Sequence, residues 1–248
     1  MLNNKEFWNS RAKSFRRYEG KRDEYANNIF DTMDKHGVVL KGASVLDLGC
    51  GSGGFAIGMA KEGAVVTAMD ISSEMLKIAA EDAAANGVDI KFIESNWDEY
   101  KGDEHYDIIF CSLTPAIHDD TSREKLLAHA DRHIVYLGFM PDTGDDEMAG
   151  LYELHNTKPR LMVGATEMHD WLDSKNITQS TYPFKKYRKS VKSKEDMIKG
   201  CVCSIEATGA KADPAIIESY IERFKTSDDM YSHNGYNNVD MIIVDLRK

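Results

Sequence analysis

The chain has 248 residues, 42% of them hydrophobic and 29% charged, with a formal net charge of −10. Its size fits one α/β domain with additions and a sizeable core. The negative balance argues against nucleic acid as a partner, and no apolar run approaches the ~20 residues of a membrane span.

The opening residues carry no signal-peptide core. Four cysteines, Cys50, Cys111, Cys201 and Cys203, include no C-x-x-C pair and no zinc-ligand spacing, so no metal site is expected and the protein reads as cytoplasmic with reduced thiols.

Residues 3–36 read as helical, with Phe7, Trp8, Ala12, Phe15 and Tyr18 near one face and Tyr25, Ile29, Phe30 and Met33 continuing after Gly20. Residues 45–48 are a short buried strand, followed by a turn bare of side chains at Gly49, Gly51 and Gly53 and then by a helix from Phe55. Strand, turn and helix N-terminus together let a ligand lie against backbone N–H groups. Asp47 adds a carboxylate, which suits an ammonium better than a pyrophosphate. The next strand, 64–69, ends in Asp70, about 20 residues after the first glycine, the distance at which an acid grips a ribose. A nucleoside ligand is therefore expected. Gly49, Gly51 and Gly54 also satisfy G-x-G-x-x-G, which leaves a dinucleotide open.

A helix runs from Ser72 or Ser73 to Asn86-Gly87, capped by serine at one end and ended by Asn-Gly at the other. Strands follow at 89–93, 106–111 and 133–139, with a helix at 122–131. In an open parallel sheet the ligand crevice lies at the carboxyl ends of the strands. The loop from Ser112 through Pro115 to His118 is therefore expected to line the reaction site. A Pro/Gly/Asp-rich connection at 141–146 leads to helices at 146–155 and 166–175, then a strand at 177–187 with a break at Pro183. Helices at 194–207 and 214–224 precede a long polar hairpin loop at 228–238 and a last strand at 239–246. The basic run Lys185, Lys186, Arg188, Lys189, Lys192 and Lys194 reads as a solvated face, and Cys201 and Cys203 as two buried thiols.

VLDLGCGSG followed by TAMDIS resembles the first two motifs of the class I S-adenosylmethionine-dependent methyltransferases, of the small-molecule type. The resemblance is firm over 40–140 and loose beyond. It implies a Rossmann-like, doubly wound, mostly parallel seven-stranded sheet with an antiparallel last strand, preceded by a helical segment. It implies one domain over 1–248: a helical cap at 1–38, a cofactor-binding half at 40–140 and an acceptor-side half at 141–248. The cofactor implied is S-adenosyl-L-methionine. Its methionyl part falls to Asp47, Gly49, Cys50, Gly51 and Gly53, and its ribose to Asp70 with Ile71. Asn96 and Trp97 fall to the adenine, and Cys111 and Ser112 complete the cofactor-binding set. Phe-Trp-Asn-x-Arg-Ala-x-x-Phe near the start resembles a segment that folds over the cofactor in that family. Ser-Leu-Thr-Pro is not the Asn-Pro-Pro-Tyr motif of some nucleic-acid and protein methyltransferases, which puts an exocyclic-amine acceptor in doubt.

Methyl transfer demands no fixed catalytic side chain. His118 is the candidate base by position, since an imidazole titrates near neutral pH; His155, His169 and His233 are placed less well. Tyr18, Tyr152 and Tyr182 are candidate pocket residues. His118-Asp119-Asp120 is too clustered to resemble a cation site built from separate loops. The reading is an enzyme acting on a small-molecule acceptor. Alternatives are an RNA or protein acceptor, a cofactor-binding regulator without catalysis, and a nicotinamide-dependent dehydrogenase.

Overall fold

The computed structural model describes residues 4–141, 144–158 and 164–247. Along the chain the elements are α1 (Lys5–Arg11), α2 (Glu24–Lys35), β1 (Ser44–Leu48), α3 (Gly54–Lys61), β2 (Val65–Asp70), α4 (Ser73–Ala85), β3 (Ile90–Glu94) and β4 (Tyr106–Ser112). Then come α5 (Asp120–His129), β5 (Ala130–Phe139), β6 (Gly144–Asp145), α6 (Asp146–Leu154), α7 (Gly164–Ser174) and β7 (Gln179–Ser193). The chain continues with α8 (Lys194–Glu206), α9 (Pro214–Ile221), β8 (Lys225–Ser227) and β9 (Met230–Asp245). Of the expected connection at 141–146, residues 142 and 143 lie outside the described residues.

Two compact units divide the chain. The first takes Met1–Gly138, Gly164–Tyr182 and Asp240–Lys248; the second takes Phe139–Val163 and Pro183–Val239.

In the first unit the strand order is β3-β2-β1-β4-β5-β9, and β7 also pairs with β9. β1 runs parallel to β2 and β4, β2 to β3, and β4 to β5. This is the mostly parallel, Rossmann-like sheet with one antiparallel strand that the motifs imply. Runs such as Val45-Leu46-Asp47-Leu48 and Ile108-Ile109-Phe110-Cys111 are apolar on both faces because helices cover both sides of a parallel sheet. One core cluster gathers Leu46, Leu48, Met69, Ile109, Cys111 and Trp97. α4 starts as expected: the Ser72 hydroxyl accepts from the N–H of Met75. Asp119 caps α5 in a reciprocal box with Ser122.

The leading segment departs from one helical run. α1 ends at Arg11, a short 3₁₀ turn covers Ala12–Ser14, and α2 begins only at Glu24 under an Asp23 cap. The intervening residues are held by other contacts. Arg17 pairs with Glu81 and Asp82 on α4, and the Tyr18 N–H donates to Asp82 Oδ2 at 2.8 Å.

In the second unit β6 and β8 pair antiparallel with the early part of β9. α6, α8 and α9 close a separate apolar cluster around Leu151, Met197, Cys201, Ile205, Ile217 and Tyr231. Three expectations are corrected in this stretch and the strand leading into it. The polar stretch 228–238 is no long loop: strand begins at Met230 and continues to Asp245, because Tyr231 and His233 alternate inward among polar neighbours. Strand β7 runs through Pro183 without a break. Cys203 is exposed, while Cys201, two residues away on α8, is buried, as helical geometry requires of i and i+2 positions.

Candidate active site

Gly49, Gly51 and Gly53 all take positive φ, at +72°, +53° and +82°, which is why side chains are absent there. The turn is bound to β2. The N–H groups of Gly49 and Cys50 both donate to the Met69 carbonyl, at 2.8 and 3.0 Å. The Gly53 N–H donates to Cys50 O at 3.0 Å, and the Gly51 N–H donates to Asp70 Oδ2 at 2.8 Å. These four N–H groups are thus used inside the protein. The expectation that they face a ligand is corrected: three of them bind β2 and one closes the turn on itself.

Asp70 closes β2 with its carboxylate on the turn. Oδ1 accepts from the Ser72 N–H at 2.8 Å and Oδ2 from Gly51, and the Ile71 N–H also donates to it. Burial raises its pKa and these N–H groups oppose the rise. An ionised carboxylate has about four acceptor sites, so the three backbone donors leave capacity for a hydroxyl.

Asp47 is 2% exposed. Burial, with the Asp70 charge beside it, pushes its pKa to about 8, against the Ala56 N–H in the first turn of α3. Its Oδ2 is buried with no hydrogen-bond partner. An uncompensated carboxylate oxygen at this depth is costly, and a cationic group would relieve it.

The loop leaving β4 meets the turn from the other side. Leu113 sits at φ +53°, a left-handed conformation unusual for a branched aliphatic residue, and its N–H is held by Leu137 O at 2.9 Å. Thr114 then packs so closely on Gly49 that any Cβ there would collide with its side chain. Neither Leu113 nor the Thr114–Gly49 contact was legible beforehand, since no local motif announces a tertiary contact. Ser112 is half-buried at the end of β4. His118 is 44% exposed, with Nε2 3.7 Å from both Asp98 and Asp119.

The leading segment also reaches the turn. The Ser52 hydroxyl donates to Arg16 O at 2.9 Å, and Phe15 lies beside Gly51. The Ser72 hydroxyl donates to Asn9 Oδ1 at 2.7 Å. Packing of this segment against the turn and α4 is therefore present.

Trp97 is placed elsewhere than expected. It is 2% exposed, its indole N–H donates to Ser122 O at 3.1 Å, and its ring stacks on Tyr100 and under Lys125. It is a core residue beneath α5 rather than a wall of the site. Asn96 is half-buried in a turn, its Oδ1 accepting from the Asp98 N–H at 3.1 Å. Ile71 and Cys50 are half-buried and Cys111 fully buried. Burial raises both thiols well above their usual range, so they are inert as nucleophiles.

The candidate histidines His155 and His169 have partners of their own. His155 bridges Leu151 O and the Asp213 N–H; His169 joins Gln179 and Asp240. In the basic run Arg188, Lys192 and Lys194 pair with acids.

Residues 45–137 match the methyltransferase domain family. A protein named as a methyltransferase from Geobacillus sp. (strain WCH70) is 45% identical over 69 residues, 27% of this chain and 28% of that protein. The ubiquinone biosynthesis O-methyltransferase of Klebsiella pneumoniae is 38% identical over 74 residues, 29% of this chain and 31% of that one. The chain thus matches less than a third of the length of these curated relatives. Among solved structures, the YcgJ protein of Bacillus subtilis has a TM-score of 0.54 at 16% identity, covering 88% of this chain and 98% of its own. The magnesium protoporphyrin IX methyltransferase of Synechocystis, solved with bound S-adenosylhomocysteine, has a TM-score of 0.50 at 20% identity, covering 86% and 81%. These likenesses concern the fold.

A glycine turn tied to an acid at the end of the second strand, on this sheet, is the arrangement expected from the resemblance of the two motifs to class I S-adenosylmethionine-dependent methyltransferases. Among the described residues no helix is long and apolar enough to cross a membrane.

Proposed function

We propose that the protein transfers a methyl group from S-adenosylmethionine to a small-molecule acceptor. The observation that carries this is the pairing of two acids around one bare turn. Asp70 is bound to Gly51, and Asp47 is buried nearby with an oxygen lacking a partner. An adenosyl amino acid offers both partners, ribose hydroxyls for one acid and an ammonium for the other. A pyrophosphate offers neither and would be repelled by both. The ubiquinone-pathway and porphyrin methyltransferases among the relatives act on small molecules by their names, which supports the acceptor class.

When bound, the cofactor supplies the methyl on a sulfonium and leaves as a thioether. Asp70 would accept a hydrogen bond from a ribose hydroxyl with the acceptor site its backbone donors leave. Asp47 Oδ2 and the carbonyls of the turn receive the ammonium. Gly49, Gly51 and Gly53 give close approach, with Ile71, Asn96 and Ser112 beside them. The packed rings of Phe55 and Phe110, 4.9 Å apart, back the turn with an apolar floor. Phe15 and its neighbours cover the turn and exclude water. His118, exposed on the loop leaving β4, takes the proton of a hydroxyl acceptor. Acceptor choice is assigned to residues outside 45–137.

Calorimetric titration with S-adenosylmethionine, S-adenosylhomocysteine and NAD tests the cofactor. Preference for NAD removes the reading. Transfer of radiolabelled methyl into small-molecule, RNA and protein fractions tests the acceptor, and label confined to macromolecules removes the small-molecule assignment.

A further inference from the structure

The second unit holds a cluster that the methyl-transfer reading does not use. We propose that Asp145, Glu147 and His233 bind a divalent first-row transition-metal ion. This does not rest on the methyltransferase reading.

The register of two strands builds the cluster. β6 pairs antiparallel with β9, setting Asp145 opposite Gly235. A Cβ at Gly235 would collide with the Asp145 carboxylate, so glycine there gives the acid its room. α6 starts at once, which puts Glu147 in its first turn, and the Asn234 N–H holds Asp146 Oδ1 at 2.9 Å. One ligand atom from each of Asp145, Glu147 and His233 lies within 4.8 Å of the others.

The second observation is what burial leaves unsatisfied. His233 is 2% and Glu147 4% exposed. Neither ring nitrogen of His233, nor Oε2 of Glu147, has a hydrogen-bond partner. Nδ1 and Oε2 stand only 2.6 Å apart, yet without the alignment of a hydrogen bond. Each such buried polar atom is destabilising. A cation among them would satisfy nitrogen and oxygen together.

The surrounding charges orient the set. Arg188 pairs with Asp145 Oδ1 and also with Asn237, and Lys192 Nζ stands 3.8 Å from Glu147 Oε1. These cations hold the outer carboxylate oxygens, in the way outer partners fix metal ligands elsewhere, and the inner Oε2 remains for the ion. The spacing is close to what is needed. Ligand atoms about 2.1 Å from one ion lie at most roughly 4.2 Å apart, so the Nδ1–Oε2 pair, at 2.6 Å, must open to admit it. One imidazole with two carboxylates favours Zn²⁺, Fe²⁺ or Mn²⁺ over Ca²⁺ and Mg²⁺, which prefer all-oxygen sites. Three protein ligands leave coordination positions for water or a ligand atom.

The test is calorimetric titration of the untagged, chelator-stripped full chain with zinc, manganese, calcium and magnesium chlorides, beside the visible spectrum of the cobalt-loaded protein. The expected result is one Zn²⁺ per chain at micromolar affinity or tighter, Mn²⁺ weaker, and Ca²⁺ and Mg²⁺ at least 100-fold weaker. His233→Asn and Glu147→Gln should each weaken Zn²⁺ at least 100-fold while the far-ultraviolet circular dichroism stays unchanged. Saturable one-to-one binding absent from the wild type overturns the proposal. So does Ca²⁺ binding as tight as Zn²⁺, or Zn²⁺ affinity unchanged in either variant. Should a variant fail to fold, the cobalt spectrum of the wild type decides, since d–d bands without a nitrogen-donor signature overturn it.

Discussion

The N–H of Gly51 donates to Oδ2 of Asp70 at 2.8 Å, so the glycine turn and the acid of the neighbouring strand form one rigid piece. Removing the carboxylate therefore has two effects. Asp70→Ala is expected to lower S-adenosylhomocysteine affinity by 10-fold or more, the scale of one charge-assisted hydrogen bond. It should also destabilise the fold by about 1–3 kcal/mol through the freed N–H groups. Asp70→Asn, which keeps one oxygen, should fall between. Calorimetry and urea denaturation separate the two effects, and unchanged affinity in Asp70→Ala removes the ribose assignment.

Asp47 predicts a pH dependence. Its pKa rises from 3.8 in the open chain to about 8 in the fold, so between those values the folded protein holds a proton that the unfolded chain has released. Its contribution to stability is complete below pH 3.8 and is lost as pH rises through about 8. Asp47→Asn should flatten that slope in denaturation curves taken without ligand. Binding should show the opposite trend. An ammonium favours the ionised acid, so affinity should climb with pH, by a factor of up to about ten per unit below the pKa. A pH-independent affinity would detach Asp47 from the ammonium.

Gly49→Ala should destabilise for two separable reasons, a positive φ costing about 1–2 kcal/mol and collision with Thr114. Thr114→Gly in the same chain removes the colliding side chain whole, Cβ included, and should recover the collision part while leaving the backbone part. A double variant no more stable than Gly49→Ala alone would show that Thr114 yields freely.

Trp97→Phe deletes the N–H to Ser122 O and should cost about 1 kcal/mol, leaving cofactor affinity within twofold. A tenfold loss of affinity with stability intact would return Trp97 to the wall of the site.

His118→Asn should lower kcat by 10²–10⁴-fold for a hydroxyl acceptor with KM little changed. An unchanged kcat would leave His118 without a part in proton transfer.

The sequence showed the fold where signals are local. Alternating glycines, the Ser72 cap and apolar strands all act within a few residues, so β1 to β4 fall close to where they were expected. Trp97 shows where such reading stops: a tryptophan after a strand looks alike whether it faces ligand or core, and only α5 packed over it decides. The stretch 228–238 failed for a similar reason. Its asparagines and glycine signal a turn, but partners β6 and β8 hold it as strand. Asp145 and Glu147 lie far from His233 in sequence, so no ligand spacing could announce them.

The sheet of the first unit is not complete until late in the chain. The strand beside β5 comes from β9, and the Leu246 N–H donates to Arg132 O at 2.8 Å. While the ribosome is still making the intervening residues, β5 has an unprotected border able to recruit foreign strands. Trimming the tail should leave the nascent product sticky and dependent on chaperones, and a shortened version ending at residue 138 would be a poor choice for expression.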